Sequence, residues 1–330
     1  MNLGIMLSSD YIPYKQILDM LPVIEGSFTH VFVPELWGRD AFTQIAAISS
    51  VVESNITYGT AIVNIFSRSP ATLAQTAMTL SELTEGRFVL GLGLSGPIVI
   101  QNWHGYQFNE HSPMQRTREY LEIIRLILSG ERCNYEGKIF KLQNFKLRGE
   151  TEHVPLFLAA LGPKNIQLAG ELADGWFPIW FPVNSSIDLL LNDLETGKRN
   201  RRENLERVVD IAPVLITCAS NSPKAKRLVQ NHLAYYVGGM GTFYNNLMKR
   251  LGFVDEAEKI ITAWKGGDRA LAAANVSDAM IDAIAIMGSG EEINEKYSEL
   301  GKKGVTIPII MLPFNCPPDL AIETIGSFSQ

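Results

Sequence analysis

The sequence predicts a parallel α/β barrel of eight strands. Apolar, β-branched runs of strand length alternate with amphipathic runs of helix length along most of the chain. Eight such strands can be counted, the number a (β/α)8 TIM barrel requires. No low-complexity linker divides the 330 residues, so a single domain spanning 1–330 accommodates them. An open doubly wound sheet is the competing arrangement.

The elements follow in order. Asn2–Leu7 is the first strand, and Tyr14–Glu25 a helix with Ile17, Leu18, Leu21 and Ile24 at helical spacing. His30–Glu35 is the second strand. Asp40 then stands as an N-cap for a helix over Ala41–Val52. Ile56–Val63 is the third strand, followed by a helix from Ala71 to Thr84 that Gly86 terminates. Phe88–Leu92 is the fourth strand and ends in glycines. Ser112-Pro113-Met114-Gln115 has the form of a capping box with proline at N1, opening a helix to Leu128 that Gly130 closes. Tyr135–Leu147 alternates like a small hairpin inserted between barrel units. Val154–Ala160, Gly175–Trp180 and Ile211–Thr217 are strands five to seven, with the helix Gly162–Ala173 after the fifth. The stretch 222–285 holds several short helical patterns and is expected to be a helical insertion. Ser289–Leu300 is the last barrel helix, Val305–Leu312 the eighth strand, and the tail from Asp319 a further helix.

Composition narrows the function. Lys and Arg number 29 against 35 Asp and Glu, a net charge of −6. With no basic block, a nucleic-acid partner is not expected. Cys133, Cys218 and Cys316 are odd in number and far apart, which fits neither a disulfide framework nor a CxxC metal knuckle. The five histidines show no metal-ligand spacing. Met1–Leu7 lacks the basic and long apolar regions of a signal peptide, and no apolar run approaches the roughly 20 residues of a membrane span. The expectation is a cytoplasmic enzyme acting on a small molecule.

In a barrel, chemistry gathers at the C-terminal ends of the strands. Four segments stand there. Gly91-Leu92-Gly93-Leu94-Ser95-Gly96-Pro97 satisfies GxGxxG, but it follows the fourth strand and no helix pattern begins at Pro97. It reads better as a main-chain shelf for a planar ligand, or as a plain tight turn. Leu161-Gly162-Pro163-Lys164 opens a helix whose free N–H groups suit an anion, or is an ordinary turn with a solvated lysine. Glu35 closes the second strand, either as a proton carrier or in an ion pair with Arg39. Trp103-His104-Gly105-Tyr106 lies in a loop beyond the fourth strand, where His104 lines a substrate site or simply packs. Trp37, Trp103, Trp176, Trp180 and Phe181 line an aromatic pocket or belong to the core.

Longer runs carry a family resemblance. Arg68-Ser69-Pro70-Ala71, with Leu80-Ser81-Glu82-Leu83-Thr84-Glu85-Gly86-Arg87-Phe88-Val89-Leu90-Gly91-Leu92-Gly93, resembles the bacterial-luciferase-like flavin and deazaflavin oxidoreductases. Leu168-Ala169-Gly170-Glu171-Leu172-Ala173-Asp174-Gly175-Trp176 and Met287-Gly288-Ser289-Gly290-Glu291-Glu292 match further segments of that superfamily. Val33–Asp40, the Ser95–Gly105 stretch and Ala160–Pro163 resemble its branch that uses the deazaflavin coenzyme F-420, which includes methylenetetrahydromethanopterin reductase. Pro34-Glu35 stands where many relatives carry Asp-His. Ile5-Met6-Leu7-Ser8, with no acid before Asp10, departs from the methanopterin reductases and argues against that activity, though not against the coenzyme.

The resemblance implies a TIM barrel, dimerisation, and hydride transfer between F-420 and an organic substrate that the sequence does not identify. It places the ring on Ala61, Ile62 and Val63, with Asn64 at its polar edge. Gly93, Leu94 and Ser95 would meet the ring or ribityl chain, and Leu161, Gly162 and Pro163 the phosphate. Glu35 or His104 would handle the proton. It also implies a cis peptide between Ala61 and Ile62, making a bulge behind the ring. Two alternatives remain: an FMN-dependent monooxygenase of the same fold, and a barrel that has lost its coenzyme and serves as a partner or regulatory subunit.

Overall fold

The computed structural model describes residues 2–7, 13–51, 55–149 and 153–328. Its strands are β1 (Gly4–Met6), β2 (His30–Val33), β3 (Thr57–Thr60), β4 (Val63–Asn64), β5 (Phe88–Gly93), β6 (Cys133–Glu136), β7 (Lys141–Phe145), β8 (Leu156–Leu158), β9 (Gly175–Trp176), β10 (Asp210–Ile211), β11 (Val214–Cys218), β12 (Ala285–Met287) and β13 (Ile309–Met311). The helices are α1 (Tyr14–Ser27), α2 (Ala41–Ser49), α3 (Pro70–Leu83), α4 (Pro113–Leu128), α5 (Pro163–Leu172), α6 (Ile187–Lys198), α7 (Pro223–Gly239), α8 (Thr242–Arg250), α9 (Val254–Lys265), α10 (Arg269–Ala274), α11 (Asp278–Ile284), α12 (Gly290–Lys302) and α13 (Pro318–Gly326).

Parallel pairing runs β9-β8-β5-β3-β2-β1-β13-β11. An isolated parallel bridge, Ile179 to Val214, joins the two ends, so the sheet curls into a TIM-barrel-like ring. Phe32 fills the interior where Gly4 and Gly59 leave room, and its ring meets Phe177 edge-on at 5.1 Å. The pair β6–β7 forms an antiparallel hairpin, and α7 to α11 lie between β11 and β12.

Three strands are shorter than their apolar runs. Pro178, Pro213 and Pro308 interrupt the sixth, seventh and eighth. A proline cannot donate to the ladder but keeps its carbonyl. Val214 N–H bonds Pro178 O at 2.8 Å, Ile309 N–H bonds Pro213 O at 2.8 Å, and Gly4 N–H bonds Pro308 O at 2.9 Å. Each strand is therefore cut while the ring stays hydrogen-bonded.

The third strand breaks at Ala61–Ile62 as expected, but without a cis peptide: no bond among the described residues is cis. Both sides of the step are tied to the chain of β2. Ala61 N–H donates to Val33 O at 2.8 Å, and Ile62 O accepts from Glu35 N–H at 3.2 Å. The bulge is thus built with a trans bond. It presses on β5, where a Cβ on Gly91 would stand 2.1 Å from Thr60 O and one on Gly93 3.2 Å from the Ile62 side chain. Gly91 and Gly93 at the end of β5 make room for this bulge.

Two further expectations are corrected. Ser112 Oγ accepts from Gln115 N–H, but the return half of a capping box is missing because Gln115 Nε2 donates to Glu119 at 2.8 Å. Beyond Pro97, where no helix was expected, the chain makes a π-helical turn over Val99–Trp103.

Candidate active site

A cavity of about 870 Å³ opens at the C-terminal ends of the barrel strands. Its first side is main chain and small residues: Ala61 and Ile62 of the bulge, Gly93 to Gly96 after β5, and Leu161, Gly162 and Asn165 at the start of α5. Ser95 adopts a left-handed backbone, φ 59°, which turns the chain away from β5. Gly162 is the N-cap of α5, and a Cβ built on it would meet nothing within 4 Å. The first N–H groups of that helix have no intrahelical partner. Asn165 Oδ1 is buried with no hydrogen-bond partner among the described residues.

The second side is mostly apolar, with Gln16, Asp19 and Asn315 as its polar members. It comprises Met20 and Val23 of α1, Phe314 to Pro318 after β13, Ile322 of α13, and Tyr236, Met240, Phe243 and Tyr244 from the helical insertion. One of the contacts that hold the insertion to the barrel is made by a histidine. His232 Nδ1 accepts from Phe314 N–H at 3.1 Å, and the two rings stack at 3.8 Å. With Nδ1 accepting, the neutral ring carries its proton on Nε2. Burial pushes the His232 pKa down to about 3. Burial also raises the phenol of Tyr244 above its ordinary range and the Cys316 thiol to about 12. These groups are uncharged at neutral pH.

The structure separates the residues singled out from sequence. Ala61, Ile62, Gly93, Leu94, Ser95, Leu161 and Gly162 all line the cavity. Val63 is fully buried behind the wall, and Pro163 is exposed at the first position of α5. Asn64 is buried, and its Oδ1 accepts from Phe66 and Ser67 N–H at 3.0 and 2.8 Å, a turn that starts the approach to α3. Its Nδ2 lies 3.4 Å from His104 Nε2. His104 is exposed at the end of the π-helical turn and outside the cavity wall.

Glu35 also lies outside the wall. Its carboxylate is gripped by Arg68, with Nη1–Oε1 2.5 Å and Nη2–Oε2 3.0 Å, and accepts Ala41 N–H at 3.1 Å. Arg68 also bonds Asp40 Oδ2 at 2.5 Å, while Asp40 caps α2 through Thr43 N–H. The hydrogen bond to Glu35, then the two carboxylate charges, outweigh burial and raise the Arg68 pKa. This arrangement clamps the start of α2 to the start of α3, so Glu35 stands in an ion pair, with Arg68 as the partner. Of the aromatic candidates, Trp37 lines the cavity with Trp103 edge-on at 5.2 Å, whereas Trp176, Trp180 and Phe181 are core. Ser8 and Asp10 lie outside the described residues.

Sequence reading missed Asn165, Phe314 and the aromatic face of the insertion. Paired rings at Tyr235-Tyr236 and Phe243-Tyr244 were the available signal.

Comparison with known proteins agrees with this fold. A Mycobacterium tuberculosis protein assigned as a coenzyme F-420-dependent oxidoreductase is 30% identical over 311 residues, covering 87% of each chain. A 5,10-methylenetetrahydromethanopterin reductase of Archaeoglobus fulgidus is 26% identical over 92% of this chain and 90% of its own. The solved F-420-dependent tetrahydromethanopterin reductase of Methanopyrus kandleri superposes with a TM-score of 0.83 at 22% identity, covering 99% of this chain and 97% of that one. The family model for luciferase-like monooxygenases matches residues 3–306. The chain belongs to this luciferase-like family of oxidoreductases.

Proposed function

We propose that this chain is an F-420-dependent oxidoreductase that binds the coenzyme in the barrel-mouth cavity. Bare main chain on two sides of one cavity carries the reading. Gly93 and Gly96 present main chain on either side of Leu94 and Ser95, and Gly162 leaves the N-terminus of α5 open. The match to the F-420-dependent mycobacterial relative supports this coenzyme over FMN. When bound, the deazaflavin supplies the hydride-accepting or hydride-donating centre, and the chain supplies position and environment. Ala61 and Ile62 offer an apolar backing for a planar ring. The N–H groups at Gly162 and beyond suit an anionic tail, and Asn165 Oδ1 is an acceptor awaiting a donor.

Fluorescence titration with F-420 and with FMN tests the proposal on the wild type and on Gly162→Val. The added side chain enters open space, so the melting temperature should hold. F-420 affinity should fall about 10–100-fold, the worth of hydrogen bonds to a charged group. Tight binding of FMN alone would favour the monooxygenase alternative. Binding of neither would favour the coenzyme-free partner reading.

A further inference from the structure

The half of the cavity away from the coenzyme shelf has a composition of its own. Among the described residues, Asp19 is the only Asp, Glu, Lys, Arg or His in the entire wall. Tyr244 and Cys316, which also face it, are kept neutral by burial. The apolar wall does not stop at the mouth. Val23 (47% exposed), Trp37 (40%), Phe243 (36%) and Ile322 (64%) line the cavity and continue into solvent. They come from four separate parts of the chain, so the apolar rim is assembled by the fold. Large side chains left open around a deep apolar pocket mark a surface that a ligand covers.

We infer that the substrate is a neutral, largely apolar molecule long enough to reach from the coenzyme to this rim. A phosphorylated sugar or a polyanionic substrate would meet, among the described residues of the wall, no cationic side chain to receive it and Asp19 to repel it. The inference rests on the proposed coenzyme site, because that site occupies the other half of the cavity. It goes further in assigning this one.

The test measures equilibrium binding, by tryptophan fluorescence and calorimetry, with and without saturating F-420. The probes are unbranched secondary alcohols of increasing chain length, with glucose 6-phosphate as the charged comparison. Affinity should rise up to about fourfold per added methylene until the chain passes the rim. Ile322→Glu should abolish the gain for the longest chains and leave the shortest unchanged. Glucose 6-phosphate should not bind. Affinity independent of chain length, or preferential binding of the phosphorylated sugar, would overturn the inference. So would an Ile322→Glu protein whose only change is conversion of a dimer to monomers, which would assign the rim to a second copy of this chain. F-420 titration on the same samples separates the two claims. Coenzyme binding without chain-length dependence sinks the substrate class alone, and chain-length dependence without coenzyme binding sinks the coenzyme reading alone.

Discussion

Arg68 organises the chain beside the cavity without lining it. Its guanidinium holds Glu35 and Asp40 and lies 4.9 Å over the Phe42 ring, while its carbonyl accepts the Tyr120 hydroxyl at 2.5 Å. Glu35→Gln keeps the shape and removes the charge that faces Arg68. We expect a loss of about 1–3 kcal/mol in urea unfolding, with F-420 affinity little changed. Lost turnover at unchanged stability would instead favour the proton-carrying role. Gly91 offers a sharper contrast with Gly162. Thr60 Oγ1 both accepts from Gly91 N–H and donates to Gly91 O, each at 2.8 Å, so the two backbones are in contact. Gly91→Ala must force them apart and is expected to cost about 1–3 kcal/mol or more. Gly162→Ala should unfold with the wild type in the same melting experiment. GxGxxG spacing does not distinguish these glycines from ligand-binding ones. The difference lies in what a Cβ would strike, which only the assembled strands reveal.

Among the elements, the inserted hairpin has the clearest anchor. Glu119, fully buried on α4, accepts Lys138 and Phe140 N–H at 2.8 and 2.9 Å and Ile139 N–H at 3.1 Å. Burial alone would raise its pKa, but the Gln115 amide and these three N–H groups reverse that and hold it below the ordinary carboxylate range. Glu119→Ala should therefore loosen the hairpin selectively. Hydrogen exchange at residues 138–140 should quicken while β5 and β8 amides stay protected; uniform quickening would show that the hairpin supports the whole barrel. The hairpin was legible because its alternation is local. Its anchor was not, because Gln115 sits where a capping box would use it. Helix α6 was missed although Ile187, Leu190 and Leu194 repeat at helical spacing. Its start signals, Ser186 at the N-cap and Asp188 in the first turn, were in the sequence, although Ser186 makes no side-chain cap bond.

At the scale of the whole molecule, the barrel was readable because most βα units announce themselves by period, and the shelf of the cavity because glycines mark it. The opposite wall was not, since α1, the β13 loop and the insertion meet only through long-range packing. His232 is one of the residues that makes them meet, and it gives the fold a dependence on pH. Burial lowers its pKa to about 3 and that of His30 to about 4, against a value of 6.5 for the exposed ring. Between about pH 6.5 and these folded values, the unfolded chain binds protons that the folded chain refuses. Stability is therefore full above pH 6.5 and falls as pH drops through that window. Each imidazole contributes a slope of up to about 1.4 kcal/mol per pH unit. Carboxylates with lowered values, such as Asp40 and Glu119, add their loss only below about pH 4.5. Urea unfolding from pH 7 to 5 should thus show a loss of up to about 2.7 kcal/mol per pH unit at its steepest. In His232→Phe, which keeps a ring against Phe314, that slope should fall by half even though the starting stability is lower. A flat profile in the wild type would mean that both imidazoles take up protons inside the fold, and that the insertion is not held by a neutral His232.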